Sequence, residues 1–491
     1  MPPSGYTQTL PILLAETVTS TRTGKVELGQ FMTSRKIADF MSSLFSKRAY
    51  ETASLLDAGA GKGTLSASFI DSWYDGDLKI DHLKVTTFEI DPGMCASLTQ
   101  SLRRYKEVPN LEIQMVFSDF IEHSVQLIQN GNLEPYSHCI LNPPYKKINS
   151  ASQHRSVLRK IGIEAVNLYS AFLSLCLLML ESSGELVAII PRSFCNGTYY
   201  LPFRKLILEN ASIRQIHLFN ARDKAFKSDG VLQENVIIHL ERNAVQGEVT
   251  ISTSTDDQFA DYSSLNFPFE KIVQTTDDNL YFHIPTDESL SPLTESPKLK
   301  FKLSDLGLGV CTGPVVDFRA TQFLRMKPGA DCVPLLYPFH FAKYFAWPRT
   351  HSRKPNALQI SPETAKMLLP NGFYVVLKRF SSKEENRRIV AYLVRPDYFT
   401  SEYLAFENHL NVIHFNKHGM GQDLARGLEI YLNSSFVDSY FRRFSGHTQV
   451  NATDLRILNF PSQESLMKLG HSNAETRLNA QEIDSAVSKI I

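Results

Sequence analysis

Between residues 54 and 241 short, almost wholly apolar runs alternate with longer stretches whose apolar positions recur at helical spacing. The runs are SLLDAGA (54–60), KVTTFEI (84–90), IQMVFSD (113–119), SHCILNPP (137–144), ELVAIIP (185–191), IRQIHLF (213–219) and ENVIIHLE (234–241). Most are continuous in Val, Ile, Leu and Phe, as central strands covered on both faces are. Strands separated by helical segments predict an open, mostly parallel α/β sheet of seven strands. Ligands of such a sheet bind at the carboxyl ends of its strands.

Ahead of the sheet, SRKIADFMSSLF (34–45) predicts a helix, with Thr33 and Ser34 as candidate N-caps. LYSAFLSLCLLML (168–180) is too short to span a bilayer and predicts a buried helix. Residues 246–300 turn acidic and rich in Ser and Thr, the texture of a connector. From residue 301 aromatics, prolines and basic residues dominate. The expected organisation is therefore a sheet domain over 1–245, an acidic connector over 246–300 and an α+β domain over 301–491.

Composition narrows this further. A chain of 491 residues calls for two or three domains, and 43% apolar with 21% charged residues is that of a globular protein with real cores. The zero net charge hides an asymmetry: residues 301–491 carry 23 Lys and Arg against 17 Asp and Glu. A basic C-terminal part suits a polyanionic partner. The six cysteines lack CxxC pairs, so a reducing cytoplasm is expected and no metal site is. Residues 1–20 lack the pattern of a signal peptide, and no membrane association is expected.

Candidate chemistry gathers at the strand ends. The first strand closes in Asp57, Gly59, Gly61 and Gly63, a D-x-G-x-G-x-G loop. A phosphate-binding P-loop is disfavoured, because Leu56 and Gly63 stand where it needs Gly and Ser/Thr. A dinucleotide fingerprint needs a longer glycine spacing. The loop instead matches that for S-adenosylmethionine, in which the acid can meet the cofactor's ammonium group. Glu89 at the second strand end can accept ribose hydroxyls, and Ile90 can cover an adenine. At the third, Asp119 can accept the adenine amino group while Phe120 packs on the ring. Each acid is by itself more often a helix cap; acids closing three consecutive strands point to the cofactor.

The fourth strand ends in Asn142-Pro143-Pro144-Tyr145. An exocyclic aromatic amine is a poor nucleophile, its lone pair being delocalised into the ring. Asn142 Oδ1 and the Pro143 carbonyl can each accept one of its N–H groups, orienting it and stabilising developing positive charge. The prolines stiffen the turn, and Tyr145 offers a face for a base. A base inside a duplex must be flipped out to reach such a pocket.

The order GQFMTSRKIADFM, DAGAGKG, FEIDP, SDF, NPPY resembles the gamma class of amino-methyltransferases of restriction–modification systems. TGPVVDFRA (312–320), LKRFSSKEENRRIVA (377–391) and FSGHTQVNATDLRILNFP (444–461) resemble the PstI/BsuBI branch of adenine-N6 methyltransferases. The resemblance implies a Rossmann-like methyltransferase sheet with a C-terminal target-recognition domain, S-adenosylmethionine as cofactor and double-stranded DNA as substrate. It implies further cofactor contacts from Phe31 and Thr33, and a second aromatic wall for the flipped base at Phe226. It also implies a separate cognate endonuclease, a monomer, and CTGCAG as the recognition sequence. Two basic clusters are candidate DNA contacts: Lys378, Arg379, Lys383, Arg387 and Arg388, and then Arg442, Arg443, His447 and Gln449. An RNA methyltransferase and a non-catalytic DNA-binding subunit are the competing functions; the basic domain of about 190 residues and the intact Asn142 and Tyr145 weigh against them.

Overall fold

All seven expected strands form in the computed structural model, which describes residues 32–220, 234–274, 277–286, 296–341, 345–349, 353–381, 385–445, 448–474 and 476–491. The chain divides into two compact units, 1–190 and 191–491. Among the described residues no helix is long and apolar enough to cross a membrane.

Unit 1 opens with α1 (Arg35–Ser43), capped by Ser34, whose hydroxyl accepts the Ile37 amide. Thereafter strand and helix alternate: β1 (Tyr50–Ala58), α2 (Thr64–Tyr74), β2 (Ile80–Phe88), α3 (Pro92–Leu102), β3 (Leu111–Val116), α4 (Phe120–Asn130), β4 (Tyr136–Leu141), α5 (Gln153–Arg159), α6 (Leu168–Met179) and β5 (Leu180–Pro191). The strands pair in parallel in the order β3-β2-β1-β4-β5. β1 to β3 are laid down in one direction, then β4 returns to the other side of β1. Such a reversal opens a crevice at the strand ends, because the following connections diverge to opposite sides. Register sets its level: Asp57 lies opposite Ile140 and Ala58 opposite Phe88, so Gly59, Glu89 and Asn142 leave the sheet together. The expected buried helix is α6, capped by Asn167, with nine of its twelve residues buried.

Unit 2 continues with α7 (Leu201–Asn210), β6 (Ala211–Phe219), β7 (Asn235–Arg242), β8 (Val249–Ser254) and β9 (Ser263–Phe267). β6 pairs antiparallel with β7 and parallel with β8, and β8 antiparallel with β9. Residues of the expected connector thus form two strands. Their alternation of Ser and Thr with single apolar residues suits a half-exposed sheet, and four of the five β9 residues are exposed.

The strands that follow are β10 (Gly309–Thr312), β11 (Leu324–Arg325), β12 (Cys332–Leu336), β13 (Ala357–Gln359), β14 (Leu368–Pro370), β15 (Tyr374–Lys378), β16 (Ala391–Val394), β17 (Tyr403–Phe406) and β18 (Leu410–His414). They form a four-stranded sheet, β10-β18-β15-β16, and a five-stranded one, β11-β13-β12-β17-β14. Helices α8 (Gln422–Leu432), α9 (Ser435–Phe444), α10 (Ala452–Arg456), α11 (Gln463–His471) and α12 (Ala480–Ser488) complete the unit. α8 and α11 meet backbone to backbone. A Cβ on Gly427 would overlap the Leu466 carbonyl, and one on Gly470 the Asp423 carbonyl. Backbone cannot move aside as a side-chain tip can, so Gly427→Ala should cost about 2–3 kcal/mol of stability. Urea melts check this; an unchanged midpoint would mean the helices separate freely.

Candidate active site

A cleft opens where the strand register predicts it. Its lining includes Gly59, Gly61, Glu89, Ile90, Asp119 and Phe120 from the expected cofactor set, with Asn142 and Pro144 from the expected catalytic turn. Met32, Phe88, Met94, Ser118 and Phe172 line it too, and were not singled out from the sequence. Phe31 and Phe226 lie outside the described residues.

The glycine loop is held to β2 by the Gly59 and Ala60 amides, which donate to the Phe88 carbonyl at 3.0 and 2.8 Å. Gly59, at φ +77°, sits where a Cβ would come within 3.4 Å of Phe172 Cε1, so the loop presses on α6. Gly61 has φ +56° and open space beside it, leaving backbone free for a ligand to approach. Glu89 fastens the loop. One carboxylate oxygen accepts the Gly61 amide at 2.8 Å, the other the Ile90 and Asp91 amides at 2.8 Å each. Two oxygens offer about four acceptor positions, so one remains for a ribose hydroxyl. Ile90 is 57% exposed at the cleft, as a side chain that covers an adenine needs to be.

Asp57 is fully buried and is not among the lining residues. Its Oδ2 accepts the Ser66 hydroxyl at 2.6 Å and the Ser66 amide at 3.2 Å. Burial pushes its carboxyl up to about 7; the Ser66 bonds oppose this and nearby Glu89 adds to it. Its Oδ1 is buried without a hydrogen-bond partner, as is Ser118 Oγ. Orphaned acceptors beside an apolar cleft suit a ligand that brings its own donors. The residues that line the cleft therefore fit S-adenosylmethionine: Glu89 and Ser118 offer acceptors, and Ile90, Phe120 and Phe172 offer apolar walls for the adenine.

Asp119 caps α4 through Oδ1, which accepts the Glu122 amide at 2.9 Å, while Oδ2 faces His154 Nε2 at 2.9 Å. Burial raises its carboxyl, but His154 and the α4 amides outweigh that and lower it overall. His154, a residue sequence reasoning missed, is raised in turn by the Asp119 bond, against burial. Its stabilising contribution is complete below the ordinary histidine value and is lost as pH rises through the raised one. Melting temperature should thus fall slightly as pH climbs above 6.5, and His154→Gln, which has no charge to lose, should flatten that slope. An identical slope in both proteins would contradict this.

The Asn142 amide is oriented from both sides. Nδ2 donates to Thr33 Oγ1 at 2.9 Å, and Oδ1 accepts the Tyr145 hydroxyl at 3.2 Å. The Tyr145 ring is only 9% exposed and meets Tyr169 edge-on, centroids 6.1 Å apart. The ring is thus nearly enclosed, and its hydroxyl rests on the acceptor itself. Pro143 is buried and Pro144 half-buried. Thr33, expected at the cofactor, accepts this bond from Asn142. Thr33→Val should lower turnover about tenfold, leaving S-adenosylmethionine affinity nearly unchanged. A matching loss of affinity by calorimetry would place Thr33 at the cofactor instead.

The basic candidates lie in unit 2 and differ in availability. Lys378 is paired with Glu385 at 2.9 Å. Arg379 donates to the Asn408 carbonyl and to Gln449 Oε1, each at 3.2 Å. Arg442 pairs with Asp438 at 2.7 Å, Arg387 and Arg443 are half-buried, and Arg388 is buried. Lys383 and His447 lie outside the described residues.

Residues 90–226 match the family described as Eco57I restriction-modification methylase. The chain is 46% identical to the type II methyltransferase M.BsuBI of Bacillus subtilis, over 95% of this chain and 94% of that protein. It is 41% identical to the type II methyltransferase M.PstI of Providencia stuartii, over 94% and 92%. Among solved structures, the type IIL restriction-modification enzyme MmeI in complex with DNA superposes with a TM-score of 0.52 at 12% identity, covering 96% of this chain and 73% of that one.

Proposed function

From the premise that the chain belongs to the type II methyltransferases of restriction–modification systems, we propose that it methylates the exocyclic N6 of an adenine flipped out of duplex DNA. The fixed Asn142 amide carries this reading. Its Oδ1 stands at the end of β4, next to a cleft whose walls suit S-adenosylmethionine. That cofactor supplies an activated methyl group when bound.

The chain's own residues supply orientation. The bond from Nδ2 to Thr33 orients the amide so that Oδ1 is presented as the acceptor for an amine. The Tyr145 hydroxyl occupies Oδ1 until a base N–H replaces it, and the freed ring then packs against the base. Asn142 Oδ1 and the Pro143 carbonyl together accept both amine hydrogens, which draws the nitrogen lone pair out of conjugation. Adenine, rather than cytosine, is supported by the resemblance to the adenine-N6 branch. Residues 301–491 act as the recognition domain, with Arg387, Arg388, Arg442 and Arg443 as the preferred phosphate contacts; Phe226 is the preferred second wall for the base. The enzyme works as a cytoplasmic monomer and protects DNA from a separate cognate endonuclease.

Nucleoside analysis tests this. Purified protein, labelled S-adenosylmethionine and duplexes with and without CTGCAG should yield N6-methyladenine in the first duplex only. Label in cytosine, or in RNA and not DNA, would overturn the assignment.

A further inference from the structure

Asp119, an acid of the cleft, is braced by a histidine that is not among the cleft's lining residues. His154 Nε2 stands 2.9 Å from Asp119 Oδ2, across 35 positions of sequence. On the other side Oδ1 caps α4, accepting the Glu122 amide at 2.9 Å. The carboxylate is thus gripped at both oxygens, one by backbone and one by an imidazole from another element. A carboxylate offers about four acceptor positions, so Asp119 can keep both contacts and still accept an N–H from a ligand. Both side chains are half-buried, where such a pair is screened less than on an open surface.

The element that carries His154 is built to hold it still. His154 lies in the first turn of α5, whose N-cap Ser152 accepts the Arg155 amide at 3.3 Å. Gln153 Nε2 donates to Glu122 Oε1 at 2.7 Å, a second tie between α5 and α4. Glu164 clamps α5 from the loop that follows it, accepting Arg155 Nε at 2.8 Å and Arg159 Nε at 2.7 Å. The ends of this excursion are closed on each other. The Ile148 amide donates to the Val166 carbonyl at 3.0 Å, and the Leu168 amide to the Lys146 carbonyl at 2.8 Å. A helix of seven residues does not persist by its own propensity. Its ties to α4 and Glu164 give it a fixed place, and that place sets His154 against Asp119.

We infer that His154 is a positioning residue for the cofactor: it fixes the Asp119 carboxylate as the acceptor that selects the 6-amino group of the S-adenosylmethionine adenine. The inference rests on the cofactor reading of the cleft and on the place that reading gives Asp119. Selection by one hydrogen bond needs an acceptor whose direction is set by its neighbours. Without His154 the carboxylate keeps its α4 cap and loses its second anchor.

Calorimetric titration with two ligands tests it: S-adenosylhomocysteine, and its analogue with hydrogen in place of the adenine 6-amino group. Wild type should prefer the amino ligand about tenfold, the worth of one hydrogen bond to a charged acceptor. His154→Ala should reduce that preference to about twofold, by weakening S-adenosylhomocysteine and leaving the analogue nearly unchanged. His154→Gln, which keeps an N–H donor at similar reach, should restore it. Equal weakening of both ligands in His154→Ala overturns the inference, and so does an unchanged preference. A Gln variant no more selective than Ala overturns it too. Should His154→Ala melt early, His154→Asn, polar but too short to reach Asp119, takes its place under the same outcomes. A preference that is lost in Asp119→Asn but kept in His154→Ala removes this inference alone. Wild type that binds both ligands equally removes the place of Asp119 as well, and wild type that binds neither removes the cofactor reading itself.

Discussion

Asn142→Ala should lower methyl transfer by about 10²- to 10³-fold while leaving S-adenosylmethionine affinity nearly unchanged. The size follows from what the side chain does. Its Oδ1 is one of two acceptors assigned to the target amine, so its loss is felt as positive charge builds on nitrogen, and little before. The Thr33 and Tyr145 bonds fix the amide without any contribution from the cofactor. Removing it leaves the Tyr145 hydroxyl with the Ile189 carbonyl at 3.5 Å, so the turn retains a partner for that group. Single-turnover rates and calorimetry with the same preparation separate the two effects. A drop in affinity matching the drop in rate would mean that Asn142 mainly holds the cofactor.

Much of this site was legible because its chemistry sits at strand ends. Continuous apolar runs mark central strands, and the acids and glycines that close them stand out against that background. Gly59, Gly61, Glu89, Ile90, Asp119, Phe120 and Asn142 were found in this way, and all line the cleft. Phe172 was not, because an aromatic at helical spacing in a run as apolar as α6 reads as core. Resemblance implies Thr33 at the cofactor; its bond to Asn142 spans 109 residues, and no local pattern announces such a pairing. His154 follows the catalytic turn at no strand end, and only the folded chain brings it to Asp119.

The basic clusters show the opposite weakness. Composition marks Lys378 and Arg379 as candidate contacts, and the fold adds what it does not show, their partners Glu385, the Asn408 carbonyl and Gln449. β8 and β9 are hidden in the sequence for a related reason. Ser- and Thr-rich alternation next to acidic residues looks like a linker, and pairing with β6 turns it into sheet.

Glu89→Gln should weaken S-adenosylmethionine about 100-fold, with a smaller loss of turnover at saturating cofactor. The carboxylate accepts three backbone amides, Gly61 on one oxygen and Ile90 and Asp91 on the other. An amide side chain has one acceptor oxygen, so either orientation turns an NH₂ group toward backbone donors. Each charge-assisted bond of this kind is worth about 1.5–3 kcal/mol, and an unmet donor adds its own desolvation cost. Losing one side of the clamp and the ribose acceptor together accounts for roughly 2.7 kcal/mol, two powers of ten. Glu89→Asp should do nearly as badly, since a side chain one carbon shorter cannot reach both sets of amides. Calorimetric titration checks the order; a Glu89→Gln protein with wild-type affinity would show that the cofactor ribose is held elsewhere.

Mapping modified bases in DNA from cells that express the chain tests the central claim most directly. The expected result is N6-methyladenine at one adenine of one short recognition sequence, in nearly every copy, and its disappearance with Asn142→Ala. Methylation confined to cytosine or to RNA, or adenine methylation that persists undiminished in Asn142→Ala, would contradict it.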